Sequence, residues 1–132
     1  MIVGTGSLND KLREKVANSP ISDKVIFTGK LTGQKLYAWY YIANIFVLPS
    51  KFEPFGAVVN EALVAGCFTV VTDRVGAASL VDAKNGIVIK ANDEQMLCEV
   101  LNTYSSCEKC HEDKMSKHFN EYFSELIKFI GD

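Results

Sequence analysis

Apolar and polar positions fall into short blocks along this chain, and the blocks alternate between two periods. Five runs, Met1-Ile-Val-Gly4, Val25-Ile-Phe-Thr28, Ile45-Phe-Val-Leu48, Phe68-Thr-Val-Val-Thr72 and Gly86-Ile-Val-Ile89, are short, aliphatic and bounded by turn-forming residues. They read as strands. Between them apolar residues recur at three and four: Leu8, Leu12, Val16; Leu36, Tyr37, Tyr40, Ala43; Val58, Val59, Ala62, Leu63; and Met96, Leu97, Val100, Leu101, Tyr104. That spacing predicts helices. Ser7 and Thr32 stand where N-caps belong, and Asn92 with Gln95 has the spacing of a capping box. Trp39 and Tyr41 lie off the stripe of their helix. Strict alternation of strand and helix predicts an α/β fold with a doubly wound, Rossmann-like parallel sheet. The run 68–72 is continuous enough to be covered on both faces.

Residues 1–104 are expected to form this domain and 105–132 a C-terminal helix, carried by Met115, Phe119, Tyr122, Phe123, Leu126 and Ile130. A chain of 132 residues supports one core. A net charge of −2 gives no basic field to recruit nucleic acid. No apolar run is long enough to span a bilayer. The start lacks the basic and apolar regions of a signal peptide, and two of the four cysteines sit inside apolar patterns. A reducing, cytoplasmic setting is the simpler expectation. Cys107-Glu-Lys-Cys110-His111 spells a c-type haem attachment site. It lies in a polar link with no export signal, and a zinc site would need ligands beyond His118, so chance spacing is the preferred reading.

The stretch Ser50-Lys-Phe-Glu-Pro-Phe-Gly-Ala-Val-Val-Asn-Glu61 holds the candidate chemistry. It is a strand end, a tight loop and a helix start, with Glu53 in the loop and Glu61 on the helix. Glu61 falls at the border of the apolar arc rather than opposite it. Gly56 admits close backbone approach, and the first helical turn offers free N–H groups and a partial positive charge. The stretch therefore offers an anion site flanked by two hydroxyl acceptors.

Glu53 and Glu61, eight positions apart, with Pro49-Ser50 before and Glu61-Ala-Leu-Val-Ala-Gly66 after, resemble the E-x7-E motif of retaining GT-B glycosyltransferases. This is the large group 1 family around sucrose synthase, glycogen synthase and bacterial mannosyl- and galactosyltransferases. The resemblance implies a donor-binding domain for a nucleotide-diphosphate sugar (UDP-, GDP- or ADP-linked), transferred to a glycan, lipid or other acceptor. It implies Glu53 as the catalytic carboxylate near the reacting sugar carbon, hydrogen-bonding sugar hydroxyls and opposing the developing oxocarbenium charge. Pro54, Phe55 and Gly56 would line the sugar and distal phosphate, the latter two through backbone N–H groups. Glu61 would take the ribose hydroxyls. Gly4-x-Gly6 is similar to the family's first glycine turn, and Gly76-Ala77 to its Gly-Gly turn; both face donor phosphates there. The loop carrying Lys30, Leu31 and Gly33 would lie by the base. No metal and no cofactor are implied.

The resemblance also implies a missing part. Ser79 or Leu80 stands where an acid commonly follows the Gly-Gly turn. The family's first strand, with its Arg-x4-Lys loop, has no counterpart, nor has the N-terminal acceptor-binding domain. The chain is expected to be a fragment, inactive alone, of an enzyme compatible with peripheral association at the cytoplasmic face of a membrane. The absent strand would lie between those beginning at Met1 and Ile45, so the expectation is re-pairing, a borrowed strand or poor stability. Two rivals remain: a non-catalytic nucleotide- or partner-binding α/β module, and a hydride-transferring Rossmann enzyme resting on Gly4-x-Gly6 alone.

Overall fold

A computed structural model describes residues 1–104. The expected C-terminal helix and the Cys107–His111 motif lie outside the described residues. Five strands and four α-helices alternate as the periodicity requires. They are β1 (Ile2–Val3), α1 (Asn9–Ala17), β2 (Phe27–Gly29), α2 (Gly33–Ile42), β3 (Ile45–Leu48), α3 (Ala57–Val64), β4 (Phe68–Thr72), β5 (Gly86–Ile89) and α4 (Glu94–Tyr104). A short 3-10 helix, Gly76–Leu80, follows β4.

Every strand pair is parallel. The pairs nevertheless form two sheets, β1-β2 and β3-β4-β5. The chain divides into two compact units, Met1–Leu36 and one beginning at Tyr37.

In the second unit the doubly wound arrangement is explicit. Register puts Ile45 beside Phe68 and Val47 beside Val70, with Val70 beside Ile87. Successive side chains alternate faces. Val70, Ile89 and Val100 form one buried cluster, with Ile45, Val47 and Leu97 against it, so α4 covers that face. Val59, Val71, Val75 and Val81 form the other, with Phe46, Leu48 and Leu63 against them, so α3 covers the opposite face. Thr69–Thr72 of β4 is fully buried between them, as its unbroken β-branched run requires.

The first unit is built differently. Ile2 bonds through its N–H to the Ile26 carbonyl at 2.7 Å, and the Arg13 guanidinium stacks over the Phe27 ring at 4.5 Å. No residue of 1–36 is fully buried. Ile2, Val3, Leu8, Leu12, Ile21 and Ile26 are all exposed. Hydrophobic burial is the main stabilising term, so this unit should open first. Amides of β1 and β2 are expected to exchange with solvent at least about a hundredfold faster than those of β4, on the order of the gap between fraying segments and core strands. Native-state hydrogen exchange measures this directly; equal protection in the two sheets would contradict it.

Two helix starts depart from expectation. Leu8, not Ser7, occupies the N-cap of α1, with no side-chain cap. At α4, Asn92 has φ +66°, outside the extended region an N-cap uses. Asp93 caps instead, its Oδ1 accepting the Met96 N–H at 2.9 Å, while Gln95 donates to Glu99 at 3.0 Å. In α2, Tyr37 is exposed and Tyr40 alone is buried, so the apolar stripe is narrower than its spacing suggests.

Candidate active site

The loop from Pro49 to Gly56 leaves the carboxyl end of β3 and is fixed to the segment after β4. The Thr72 hydroxyl donates to the Ser50 carbonyl. Glu53 then makes an isolated parallel bridge with Val75. Its N–H donates to the Arg74 carbonyl at 2.9 Å, and its own carbonyl accepts the Gly76 N–H at 2.8 Å. This short extension of sheet pairing sets the backbone of Glu53.

The Glu53 side chain turns back on its own loop. Its Oε1 accepts the N–H groups of Phe55 and Gly56, both at 3.2 Å. Gly56 is left-handed, at φ +74° and ψ +41°, and is the N-cap of α3. A Cβ there would lie 2.7 Å from Val75 Cγ1, so conformation and space both require glycine. The two amides thus point at one place, and a carboxylate occupies it. That is the geometry of an anion site at a helix start. Phe55 and Phe52 on either side are 82% and 78% exposed, so this loop presents a carboxylate between two open aromatic rings.

Glu61 lies in the second turn of α3 and is half-buried, as its position at the border of the apolar arc anticipates. Its Oε2 is covered and has no hydrogen-bond partner among the described residues. Ionisation of the buried Tyr40 phenol is suppressed, first by burial and then by the negative charge of Glu61. Tyr40 looks like core in the sequence.

Gly76 and Ala77 adjoin the Glu53 loop, and Gly76 meets a requirement inside the chain itself. A Cβ on Gly76 would lie 2.0 Å from the Pro54 carbonyl oxygen, and its N–H is already taken by Glu53. Its smallness admits the chain's own backbone. In the first unit the Gly4 N–H donates to the Gly29 carbonyl at 2.8 Å, bringing together the turns after β1 and β2. Gly6 precedes α1 and Leu31 and Gly33 precede and open α2, all at the carboxyl ends of that unit's strands.

A cavity of about 270 Å³ also opens at the carboxyl ends of β3, β4 and β5, lined by Pro49, Lys51, Thr72, Ile89, Lys90 and Asp93 among others. Lys90 bonds Asp73 at 2.9 Å, and the Ala91 N–H reaches the same carboxylate at 3.0 Å. Those bonds hold the Asp73 carboxyl below its usual range, the Lys90 hydrogen bond contributing most and the Ala91 amide next. A carboxylate whose pKa is lower folded than unfolded stabilises above the unfolded value and loses that contribution as pH falls through the folded one. Asp73→Asn is therefore expected to flatten the decline of urea midpoint below about pH 4, where free aspartate protonates. A decline as steep as that of the native chain would contradict this role. Among the described residues there is no group of metal-ligating side chains, and no helix is long and apolar enough to cross a membrane.

Known proteins resemble this chain in sequence and fold. The model for "Glycosyl transferases group 1" matches residues 1–124. An uncharacterised glycosyltransferase of Methanocaldococcus jannaschii is 35% identical over 88 residues, covering 66% of this chain and 23% of that protein. Mannosylfructose-phosphate synthase of Agrobacterium fabrum is 41% identical over 67 residues, covering 51% and 15%. Among solved structures, sucrose-phosphate synthase of Thermosynechococcus elongatus superposes with a TM-score of 0.71 at 24% identity, over 92% of this chain and 30% of that one. The chain spans about a quarter or less of the length of these curated relatives. The likeness in structure is that of a Rossmann-like C-terminal half of a GT-B protein. Taken with the strand–loop–helix that carries Glu53 and Glu61, the match over residues 1–124 means that this chain belongs to the glycosyl transferases group 1 family.

Proposed function

We propose that the chain is the donor-binding part of a retaining glycosyltransferase that uses a nucleotide-diphosphate sugar. The observation that carries this reading is the convergence of the Phe55 and Gly56 amides on the Glu53 carboxylate at the start of α3. Two backbone donors and a carboxylate at one point can serve the two needs of a sugar-phosphate junction. The amides stabilise negative oxygen on the distal phosphate or a sugar hydroxyl, provided the side chain yields them. The carboxylate accepts sugar hydroxyls and opposes positive charge developing at the reacting carbon. Glu61, further along α3, is the acceptor for the ribose diol. Ala77 brings small-residue backbone beside the same loop, and in the first unit the Gly4–Gly6 and Leu31–Gly33 turns carry the backbone groups assigned to the donor by the family likeness. Charge is handled by amides and helix ends, so no metal enters. The full enzyme works on the cytoplasmic side.

One observation favours a non-catalytic module instead: the amides of Phe55, Gly56 and Gly76 are all satisfied within the chain. Calorimetric titration with UDP, GDP, ADP and their sugars separates the readings. The donor-binding reading requires saturable binding of at least one, lost in Glu61→Ala. Binding by none would leave a structural module, and binding of NAD in their place would point to hydride transfer.

A further inference from the structure

We infer that the outward face of α2 is a docking surface for residues 105–132 of the same chain. From Leu36 to Ala43 the sequence has no charged or amide side chain. A helix that is apolar all round belongs in an interior. Yet Tyr40 is the one buried residue of α2, its ring meeting Phe46 edge-on with centroids 5.6 Å apart. Tyr37, Tyr41 and Ile42 are 53%, 47% and 52% exposed, and Ala38 is exposed with them. At about 100° per residue these four share the side of the helix turned away from Tyr40. Lys35, in the first turn, is the only charged side chain of α2. Residues 37–42 and α4 belong to the same compact unit.

The path of the chain and its pattern name the occupant. α4 ends at Tyr104, whose ring stacks on Phe68 with centroids 4.1 Å apart. Phe68 opens β4 beside Ile45, and its N–H donates to the Asn44 carbonyl at 2.9 Å. Asn44 follows closely on the end of α2 at Ile42. The chain therefore leaves α4 at the edge of the sheet where α2 ends. Residues 105–114, if extended, reach on the order of 33 Å, so length does not limit the approach. Beyond them Met115, Phe119, Tyr122, Phe123, Leu126 and Ile130 fall within about 100° on a helical wheel. Lys117, Glu121, Glu125 and Lys128 fall on the other side. A stripe of that kind needs an apolar counterface, and as a helix it would run about 24 Å, enough to cover the ~15 Å of α2. Aromatic rings on both surfaces give such a contact a large apolar area. An anionic bilayer is less suited to the face, which offers it Lys35 alone where interfacial helices carry several cations.

The test is reciprocal hydrogen exchange on the full chain. Phe119→Asp with Leu126→Asp is expected to speed exchange of the α2 amides at least about tenfold while β4 amides stay within about twofold, since only the local opening of α2 is affected. Ala38→Asp, at the centre of the outward face, should speed exchange of residues 115–130 by a similar factor. The second arm matters because a charge in α2 disturbs α2 for local reasons, whereas an effect on the distant segment needs contact. Unchanged exchange of 115–130 in Ala38→Asp would overturn the inference. So would a dimer in sedimentation that Ala38→Asp dissociates, which would make a second copy the occupant. Binding to phosphatidylglycerol vesicles that Ala38→Asp abolishes would overturn it in favour of a bilayer surface. Where a variant fails to fold, the unsubstituted chain still decides: nuclear Overhauser contacts are expected between the Tyr37 or Tyr41 ring and methyls of Leu126 or Ile130, and their absence would sink the proposal.

Discussion

Gly76→Ala is expected to be among the most damaging single-methyl additions in this chain. The new Cβ would sit 2.0 Å from the Pro54 carbonyl oxygen and 2.8 Å from the carbon behind it. Backbone atoms cannot rotate aside as a side-chain tip can. Relief requires the Glu53 loop to part from the 3-10 helix at Gly76–Leu80, which breaks the Gly76 N–H to Glu53 carbonyl bond of 2.8 Å and strains the Glu53–Val75 bridge. Overpacking of about 1–3 kcal/mol together with one or two lost hydrogen bonds gives about 3–5 kcal/mol. That is a large share of a small domain's stability and corresponds to a fall in melting temperature on the order of 15 °C. Gly6→Ala is the matched control, since nothing lies within 4 Å of its Cβ and its φ is ordinary. It should melt like the native chain. Thermal unfolding of the two variants decides the matter. If Gly76→Ala melts normally and only ligand binding suffers, Gly76 faces the ligand after all.

The contrast between these two glycines shows where sequence reading succeeds and where it stops. A Gly-x-Gly or Gly-Ala turn after a strand says that something approaches the backbone closely. It does not say whether that something is a phosphate or another stretch of the same chain. At Gly76 it is Pro54, on the far side of α3 and β4 in sequence, and no local pattern encodes that meeting. By contrast, the β-branched run at 68–72 and the three-and-four spacing of Val59, Ala62 and Leu63 depend only on periodicity. The strand and helix appear where the pattern puts them, with opposite faces covered by α3 and α4. The Glu53–Glu61 spacing was legible for the same reason, because eight residues across one loop and the start of α3 fix both positions along the chain. What the spacing could not give was direction. Glu53 folds back onto the amides of its own loop, and Glu61 turns one oxygen to a covered position without a hydrogen-bond partner among the described residues. Side-chain direction is set by packing between elements, and so is the choice of Asp93 over Asn92 as cap, where a left-handed Asn92 shifts the helix start by one.

Parallel pairing of β1 with β2 and of β3 with β4 was likewise readable from the alternation of elements.

The second large effect expected concerns the opposite ends of the donor. Glu53→Gln should weaken a sugar nucleotide about ten- to a hundredfold relative to the parent nucleoside diphosphate, the scale of one or two hydrogen bonds to a charged acceptor. Glutamine keeps the shape and one oxygen that can still accept the Phe55 and Gly56 amides, so the loop itself should hold. The nucleoside diphosphate alone should bind within about threefold of the native chain, because its ribose is served by Glu61 and removing a like charge beside a phosphate costs nothing. Glu61→Gln should behave in the reverse sense, weakening both ligands by a similar factor, since both carry the same ribose. The crossed pattern is the discriminating result. If Glu53 only organised its loop, Glu53→Gln would resemble the native chain for both ligands, and Glu53→Ala alone would lower melting temperature by losing hydrogen bonds to the loop amides worth about 1 kcal/mol. If the charge itself serves the sugar, glutamine and alanine should be comparably poor for the sugar nucleotide although only alanine releases the two amides. Measuring both ligands against all three variants therefore separates a carboxylate that holds a loop from one that also holds a sugar.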